Sequence, residues 1–169
     1  MLVASMNPCP CGYFTHPEKD CSCSPNMVQN YLNKISGPLM DRIDLHIEVQ
    51  PVRYDDLSDN THQESSQEIL KKVLRARRIQ EKRFEDNDAI HCNAQMEASQ
   101  LKKYCKLEQE ARKLLKNAMD HYQLSARSYD RILKVSRSIA DLEQNEHIQS
   151  HHIAEAIQYR SLDKEKWLK

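Results

Sequence analysis

The residues best suited to chemistry come early in the chain. Cys9, Cys11, Cys21 and Cys23 form a C-x-C-x9-C-x-C pattern, and four thiolates so close in sequence can surround a tetrahedral zinc ion. His16, between the two pairs, offers a nitrogen in place of one sulfur. The spacing within each pair is tighter than the C-x2-4-C of common zinc folds, so reduced, partly exposed thiols in a loop are the competing reading. Cys92 and Cys105 have no partners at metal spacing and read as half-buried core residues. Asn7 ends the apolar run MLVASM immediately before Pro8. Its amide donates and accepts hydrogen bonds without adding a charge, which suits a ligand contact, while Asn-Pro is also a common turn initiator. Further on, Lys71, Arg75, Arg78 and Lys82 recur at intervals of four, three and four, which places them on one stripe of a helix opposite its apolar face. Such a stripe can track a phosphate backbone or be an ordinary solvated face. No aromatic residues interleave with it, so base stacking is not indicated.

The elements that must position these groups divide the chain. Both glycines, Gly12 and Gly37, and five of the six prolines lie at or before Pro38, a composition shift that marks a boundary. Residues 1–6 read as a short buried strand. IDLHIEV alternates Ile43, Leu45, Ile47 and Val49 with polar residues, the period-two pattern of a half-buried strand. PNMVQNYLNKI between them reads as a short helix. Residues 51–64 carry no period and read as a linker. From Ser65 the pattern is helical: Ser65 and Glu68 have capping-box spacing, with Ile69, Leu70, Val73, Ala76 and Phe84 on one face to about residue 85. Leu107, Ala111, Leu114, Ala118 and Tyr122 mark a second helix. Ser125 caps a third, whose stripe is Tyr129, Ile132, Leu133, Ser136 and Ala140. Ser150 caps a fourth, with Ile153 and Ile157 one turn apart. Amphipathic helices joined by short connections pack apolar face to apolar face, so a helical bundle is expected over 65–160, followed by a tail at 161–169.

Bulk properties narrow the function classes. The 169 residues carry 25 basic and 25 acidic side chains, so no global field attracts nucleic acid or an anionic membrane. Mean hydropathy is -0.81 and no apolar stretch approaches the roughly 18 residues of a membrane span. Without an export signal, a cytoplasmic protein is expected, with its six cysteines as thiols or metal ligands rather than disulfides. Two strands alone make a marginal sheet, which suggests that other strands lie upstream of Met1.

Three segments, LVASMNPCPCG, SGPLMDRIDLHIEV and LSARSYDRILKVSRSIADLE, followed by HIAEAIQYRSLD, resemble the ComM/YifB family of magnesium-chelatase-like AAA+ ATPases over nearly the whole chain. The resemblance implies a mainly α chain: a C-terminal piece of an α/β AAA+ core at 1–50, with two short strands and a helix, then a helical lid at 65–160. It implies that Asn7 is the sensor 1 residue, which orients water and the γ-phosphate. Arg42 becomes the arginine finger that enters a neighbouring subunit's site, with Asp41 orienting it or touching that subunit; an ordinary surface salt bridge is the alternative for the pair. Arg127 matches sensor 2, with Arg131 and Arg137 on the same helix as alternatives. ATP and Mg2+ are implied for the complete protein, as are a ring of copies, hexameric in the family, and DNA as partner, without membrane association.

One departure is decisive. No GxxxxGK[ST] phosphate loop and no acidic Mg2+-binding strand occur, so this chain alone is expected to be inactive, as part of a longer motor. The leading expectation is ATP-driven DNA translocation or branch migration, as in natural transformation. Insertion of Mg2+ into a porphyrin is the alternative client, and a non-catalytic helical binding module with a zinc-stapled loop is the alternative of another class.

Overall fold

The computed structural model describes residues 1–51 and 64–160; most of the expected linker and the tail lie outside the described residues. Short helices open the chain. In α1 (Pro25–Leu32) and α2 (Gly37–Met40), Ser24 and Ser36 accept a backbone N–H from Met27 and Leu39, and a proline sits in each first turn. Pro there costs nothing because its missing N–H would have had no helical partner. The long α3 (Ser66–Arg83) starts at the expected capping box, in which Glu68 N–H donates to the Ser65 hydroxyl and Ser65 N–H donates back to Glu68 Oε2 at 2.8 Å. A 3-10 turn (Asn93–Gln95) and α4 (Ala98–Tyr104) follow. Then come α5 (Gln109–Tyr122), α6 (Ala126–Leu142) and α7 (Ser150–Gln158). Neither the 3-10 turn nor α4 is legible as a periodic segment, because both are too short to repeat a stripe.

The core forms where α6 packs on α7, α3 and α4, and where α7 packs on α5. Ile132, Leu133, Ile139 and Ala140 of α6 meet Ala111 and Leu115 of α5 and Ile153 and Ala156 of α7. These are the expected stripes, shifted slightly: Leu115 is buried more deeply than Leu114, and Tyr122 and Tyr129 are exposed. Ser125 caps α6 as expected, accepting the Ser128 N–H at 3.1 Å. The cap of α7 is Gln149, one residue before Ser150. Gln123, at φ 46°, closes α5 in the left-handed conformation, and its N–H returns to Met119 as in other left-handed helix ends.

Two expectations change. Neither residues 1–6 nor 43–49 form a strand; among the described residues the sole bridge pairs Leu107 with Ile148. Leu2, Val3, Ile47 and Val49 are exposed, whereas His46, polar in the alternation, is buried. The physical reason is pairing: a strand needs a ladder partner, and among the described residues the backbone here finds one only at His46, whose N–H donates to Tyr159 O at 2.8 Å. The second change concerns α3. Ile69, Leu70 and Val73 are about half exposed, and the buried residues are Ala76 and Gln80, continued by Phe84. Only the C-terminal half of α3 therefore contributes its apolar face to the core.

A buried polar network ties these helices together. Asp141 is fully buried and accepts from both nitrogens of the Arg83 fork, from Arg137 Nε at 3.1 Å and from Asn93 Nδ2 at 2.8 Å. Arg83 also donates to Asn93 Oδ1 at 2.8 Å, and Arg137 donates to the carbonyls of Asn145 and Glu146. One carboxylate thus joins α3, the 3-10 turn, α6 and the loop beyond it. Removing one partner of a buried charge cluster leaves the others unpaired in a poor solvent, at about 3–5 kcal/mol. Asp141→Ala is accordingly expected to lower the urea unfolding free energy by about that amount, whereas Asp130→Ala on the exposed side of the same helix changes it by less than about 0.5 kcal/mol. Equal effects of the two substitutions in urea titrations would remove the network from its structural role.

Candidate functional site

The cysteine loop is built around a reversal of the chain. Gly12 has φ 86°, a left-handed conformation that side chains disfavour, and its N–H returns to Cys9 O at 3.1 Å. The turn folds the loop over Asn7, whose amide nitrogen lies 3.7 Å from where a Cβ on Gly12 would stand. Asn7 itself is exposed. The same reversal gathers the sulfurs: Cys9 Sγ is 3.3 Å from Cys11 Sγ and 3.7 Å from Cys21 Sγ, Cys11 and Cys21 are 3.5 Å apart, and all four, with Cys23, lie within 4.8 Å of one another. A tetrahedral ion with bonds of about 2.3 Å would hold sulfurs about 3.8 Å apart, so the donor set fits zinc in number, element and spacing. Without a cation the four thiols do not ionise together: donation from the Tyr13 backbone leads in drawing Cys11 down to about 5, whereas Cys21, despite donation from the Cys23 backbone, is pushed up to about 12 by burial and the neighbouring sulfurs. His16 is not part of the cluster: its Nδ1 accepts the backbone N–H of Glu18 and Lys19 at 3.0 and 3.1 Å.

A second group, Glu143, His151 and His152, also has metal-ligand types within reach. Here the hydrogen bonding argues otherwise. Gln149 N–H donates to His152 Nδ1 at 2.9 Å, which leaves Nε2 to carry the ring N–H toward Glu143 Oε2 at 3.0 Å. A protonated Nε2 has no lone pair for a metal. Hydrogen bonds from His151 and His152 hold the Glu143 carboxyl below its ordinary range, and the trio reads as a clasp between the end of α6 and the start of α7.

The LMDRID and SARSYDR segments, far apart in sequence, meet through Asp41. Its Oδ1 accepts from Ser125 Oγ and from Ser128 Oγ, both at 2.9 Å, while Arg160 and Arg127 stand 3.7 and 3.9 Å from its carboxylate. Partial burial pushes Asp41 upward, but the two hydroxyls and the two guanidinium groups outweigh it, leaving the carboxyl below its usual range. Arg131 pairs with Asp44 in the same way. Arg42 projects from this turn, exposed, with Nη1 donating to Pro38 O at 3.3 Å.

The three candidate arginines of α6 are therefore in unlike places. Arg127 is largely exposed, with 65% of its side chain accessible, Arg131 is half-buried against Asp44, and Arg137 is enclosed at 3% and committed to Asp141. Lys71, Arg75, Arg78 and Lys82 are all exposed along α3. Lys71, Arg75 and Arg78 surround Leu74 in an open hollow of about 300 Å³, so the stripe is mixed with apolar side chains rather than opposed to them. Arg160 and His46 were missed by sequence reasoning. A signal for Arg160 existed: it lies at the three- and four-residue spacing of Ile153, Ala156 and Ile157, where an apolar residue is expected and a cation must have partners.

Comparison with known proteins accounts for both halves. Residues 63–160 match the family described as magnesium chelatase, subunit ChlI C-terminal, and residues 1–57 match magnesium chelatase, subunit ChlI. The competence protein ComM of Haemophilus influenzae is 40% identical over 162 residues, covering 95% of this chain and 30% of ComM. The protein YifB of Escherichia coli is 36% identical over 165 residues, covering 96% of this chain and 31% of YifB. The chain thus spans about three-tenths of the length of these curated relatives. Matched from its first segment to Arg160, the chain belongs to the magnesium-chelatase-like ComM/YifB family of AAA+ proteins.

Proposed function

We propose that this chain is the sensor, finger and lid portion of a AAA+ ATPase that works as a ring of copies, hexameric by family resemblance, and moves DNA, with residues 1–50 completing the nucleotide-binding core and 65–160 forming the lid. The observation that carries the reading is the junction at Asp41, which unites the segment bearing Arg42 with the start of the helix bearing Arg127. Arg42 is the arginine finger in this reading. It is exposed on a short turn, as a group must be to enter a neighbour's site, and a planar, permanently charged guanidinium suits the charge that spreads over the γ-phosphate oxygens during transfer. Arg127 is the sensor 2 residue, favoured over Arg131 and Arg137 because its guanidinium is the most exposed of the three. Asn7, presented beside the cysteine turn, is the sensor 1 amide. ATP and Mg2+ would be held by parts of the protein beyond this chain, where they supply the phosphoryl group and its charge neutralisation.

Zinc in this reading is structural. Cys9, Cys11, Cys21 and Cys23 would hold it, and with no open ligand position its contribution is to fix the turn that carries Asn7. DNA is preferred to a porphyrin as client because a competence protein is among the relatives, and the exposed basic stripe of α3 is the surface offered to phosphates.

Four outcomes test these assignments. In the complete protein, Arg42→Ala is expected to lower kcat for ATP hydrolysis by about 10³-fold or more with ATP affinity nearly unchanged; normal turnover by that variant would end the finger assignment. Purified under reducing conditions, the chain is expected to carry one zinc ion by elemental analysis and to show thiolate-to-cobalt absorption on Co2+ substitution. Metal content that is zero, or that is indifferent to a Cys9→Ser/Cys21→Ser double substitution, would exclude the site. Replacing Lys71, Arg75, Arg78 and Lys82 by Gln should weaken DNA binding and flatten its salt dependence by about 0.9 per lost phosphate contact, and an unaltered salt slope would make the stripe a solvated face. DNA-independent ATPase activity of the unsubstituted complete protein would favour the metal-insertion client.

A further inference from the structure

The turn that carries Arg42 has almost no apolar anchorage. The α2 helix contributes no buried residue, and Leu39 and Leu45 on either side are about half exposed. Internal hydrogen bonds shape the turn, from Asp41, Arg42 and Ile43 N–H to the carbonyls of Gly37, Leu39 and Met40 at 2.9–3.1 Å. What fixes the turn to the helices is polar: Ser125, Ser128 and Arg131 at α6 hold the side chains of Asp41 and Asp44, and the end of α7 reaches the backbone on both sides of Arg42. There Arg160, 3% exposed, donates Nη1 to Ile43 O, and Nη2 points at Asp41 O at 3.5 Å and at Ser128 Oγ at 3.3 Å. Its two acceptor carbonyls belong to the residues immediately before and after Arg42. Ser128 in turn donates its hydroxyl hydrogen bond to Asp41 Oδ1 at 2.9 Å, so a directed chain of hydrogen bonds runs from Arg160 through Ser128 and ends on the Asp41 carboxylate. One residue earlier, Tyr159 O receives the His46 N–H at 2.8 Å, and His46 Nε2 lies 3.2 Å from Met40 O.

Burying a guanidinium is expensive, and an apolar side chain of similar volume often gives equal or better stability. Its advantage here is geometric, since the planar fork can hold two carbonyls and a hydroxyl at once, which the point charge of a lysine cannot. We infer that Arg160 is a positioning residue for Arg42, clamping the peptide on both sides of it and locking that turn to the N-terminus of α6. Because Arg127 sits in the same first turn of α6, the clamp makes the finger and the sensor 2 segment one rigid piece. A rotation of the lid caused by nucleotide in this subunit's own site then displaces the finger that reaches the next subunit. This consequence rests on the finger reading given above; the clamp itself does not.

The test uses the complete protein, with hydrogen exchange and steady-state ATPase measured on the same samples. Arg160→Met is expected to raise exchange at the amides of residues 41–46 while α5 and α6 stay protected, and to lower kcat by about 10- to 100-fold, the scale of a misplacement near 1 Å, with KM for ATP unchanged. Arg160→Lys should recover only part of that loss. In an Arg42→Ala background, adding Arg160→Met should change kcat less than twofold, because a group that acts through Arg42 has nothing left to position. Independent, multiplying effects would overturn the inference, as would undisturbed protection at 41–46. If Arg160→Met loses protection throughout, Ser128→Ala, which cuts the same chain of donors at its middle, replaces it with the same expected pattern and the same overturning results. If Arg42→Ala alone hydrolyses ATP normally, the finger reading fails, and exchange at 41–46 still decides for or against the clamp.

Discussion

A carboxylate with no access to water has to be surrounded by donors, and Asp141 is surrounded so completely that it dictates the arrangement of the helices around it. Arg83 arrives from α3, Asn93 from the 3-10 turn and Arg137 from one turn earlier on α6. Each of these groups is then obliged to satisfy its remaining hydrogen-bonding capacity nearby. Arg137 does so on the carbonyls of Asn145 and Glu146, which closes the loop into α7, and Asn93 does so on Ser138. Apolar burial alone would let α3 slide along α6. A charged network with fixed directions permits one register, which is the best-attested use of buried ion pairs.

The junction at Asp41 follows the same chemistry in a wetter setting. Asp41 is partly accessible and takes two hydroxyl donors and two looser cationic neighbours instead of two committed forks. Ser125 serves two purposes at once: its oxygen accepts the Ser128 N–H as the cap of α6 while its proton goes to Asp41. Helix start and contact between distant segments are thereby the same interaction, so the position of Asp41 is defined relative to the axis of α6. With little apolar area behind it, the joint takes its geometry from the directions of these hydrogen bonds.

Elsewhere the chain leaves its apolar residues uncovered. Leu2, Val3, Ile47 and Val49, and Ile69, Leu70, Val73 and Leu74 on α3, lie outside the core. The cysteine loop between the extended segments has no apolar cluster to order it, only Cys9 and Val28 being buried in the first forty residues. Order there comes from Gly12, from the two serine-capped helices and from the convergence of four sulfurs.

Much of this was legible in the sequence because it depends on local rules. The starts of α3 and α6 follow from Ser65 with Glu68 and from Ser125, and the stripes of α5, α6 and α7 follow from three- and four-residue spacing, since helix hydrogen bonds and side-chain direction are set within a few residues. The four cysteines were likewise visible as a potential ligand set, and the family was visible from motif order. What spacing could not reveal is where charged groups go. Arg127, Arg131 and Arg137 look alike in sequence, and only the fold exposes the first, pairs the second with Asp44 and encloses the third around Asp141. The same holds for Arg160, whose partners at Asp41, Ile43 and Ser128 are remote along the chain, and for the alternating residues 43–49, which have strand character but, among the described residues, no strand to pair with. Local pattern determines which elements can form; the choice among identical charges and between strand and coil is made by partners distant in sequence, and a desolvated charge or an unpaired backbone is too costly for that choice to be left open.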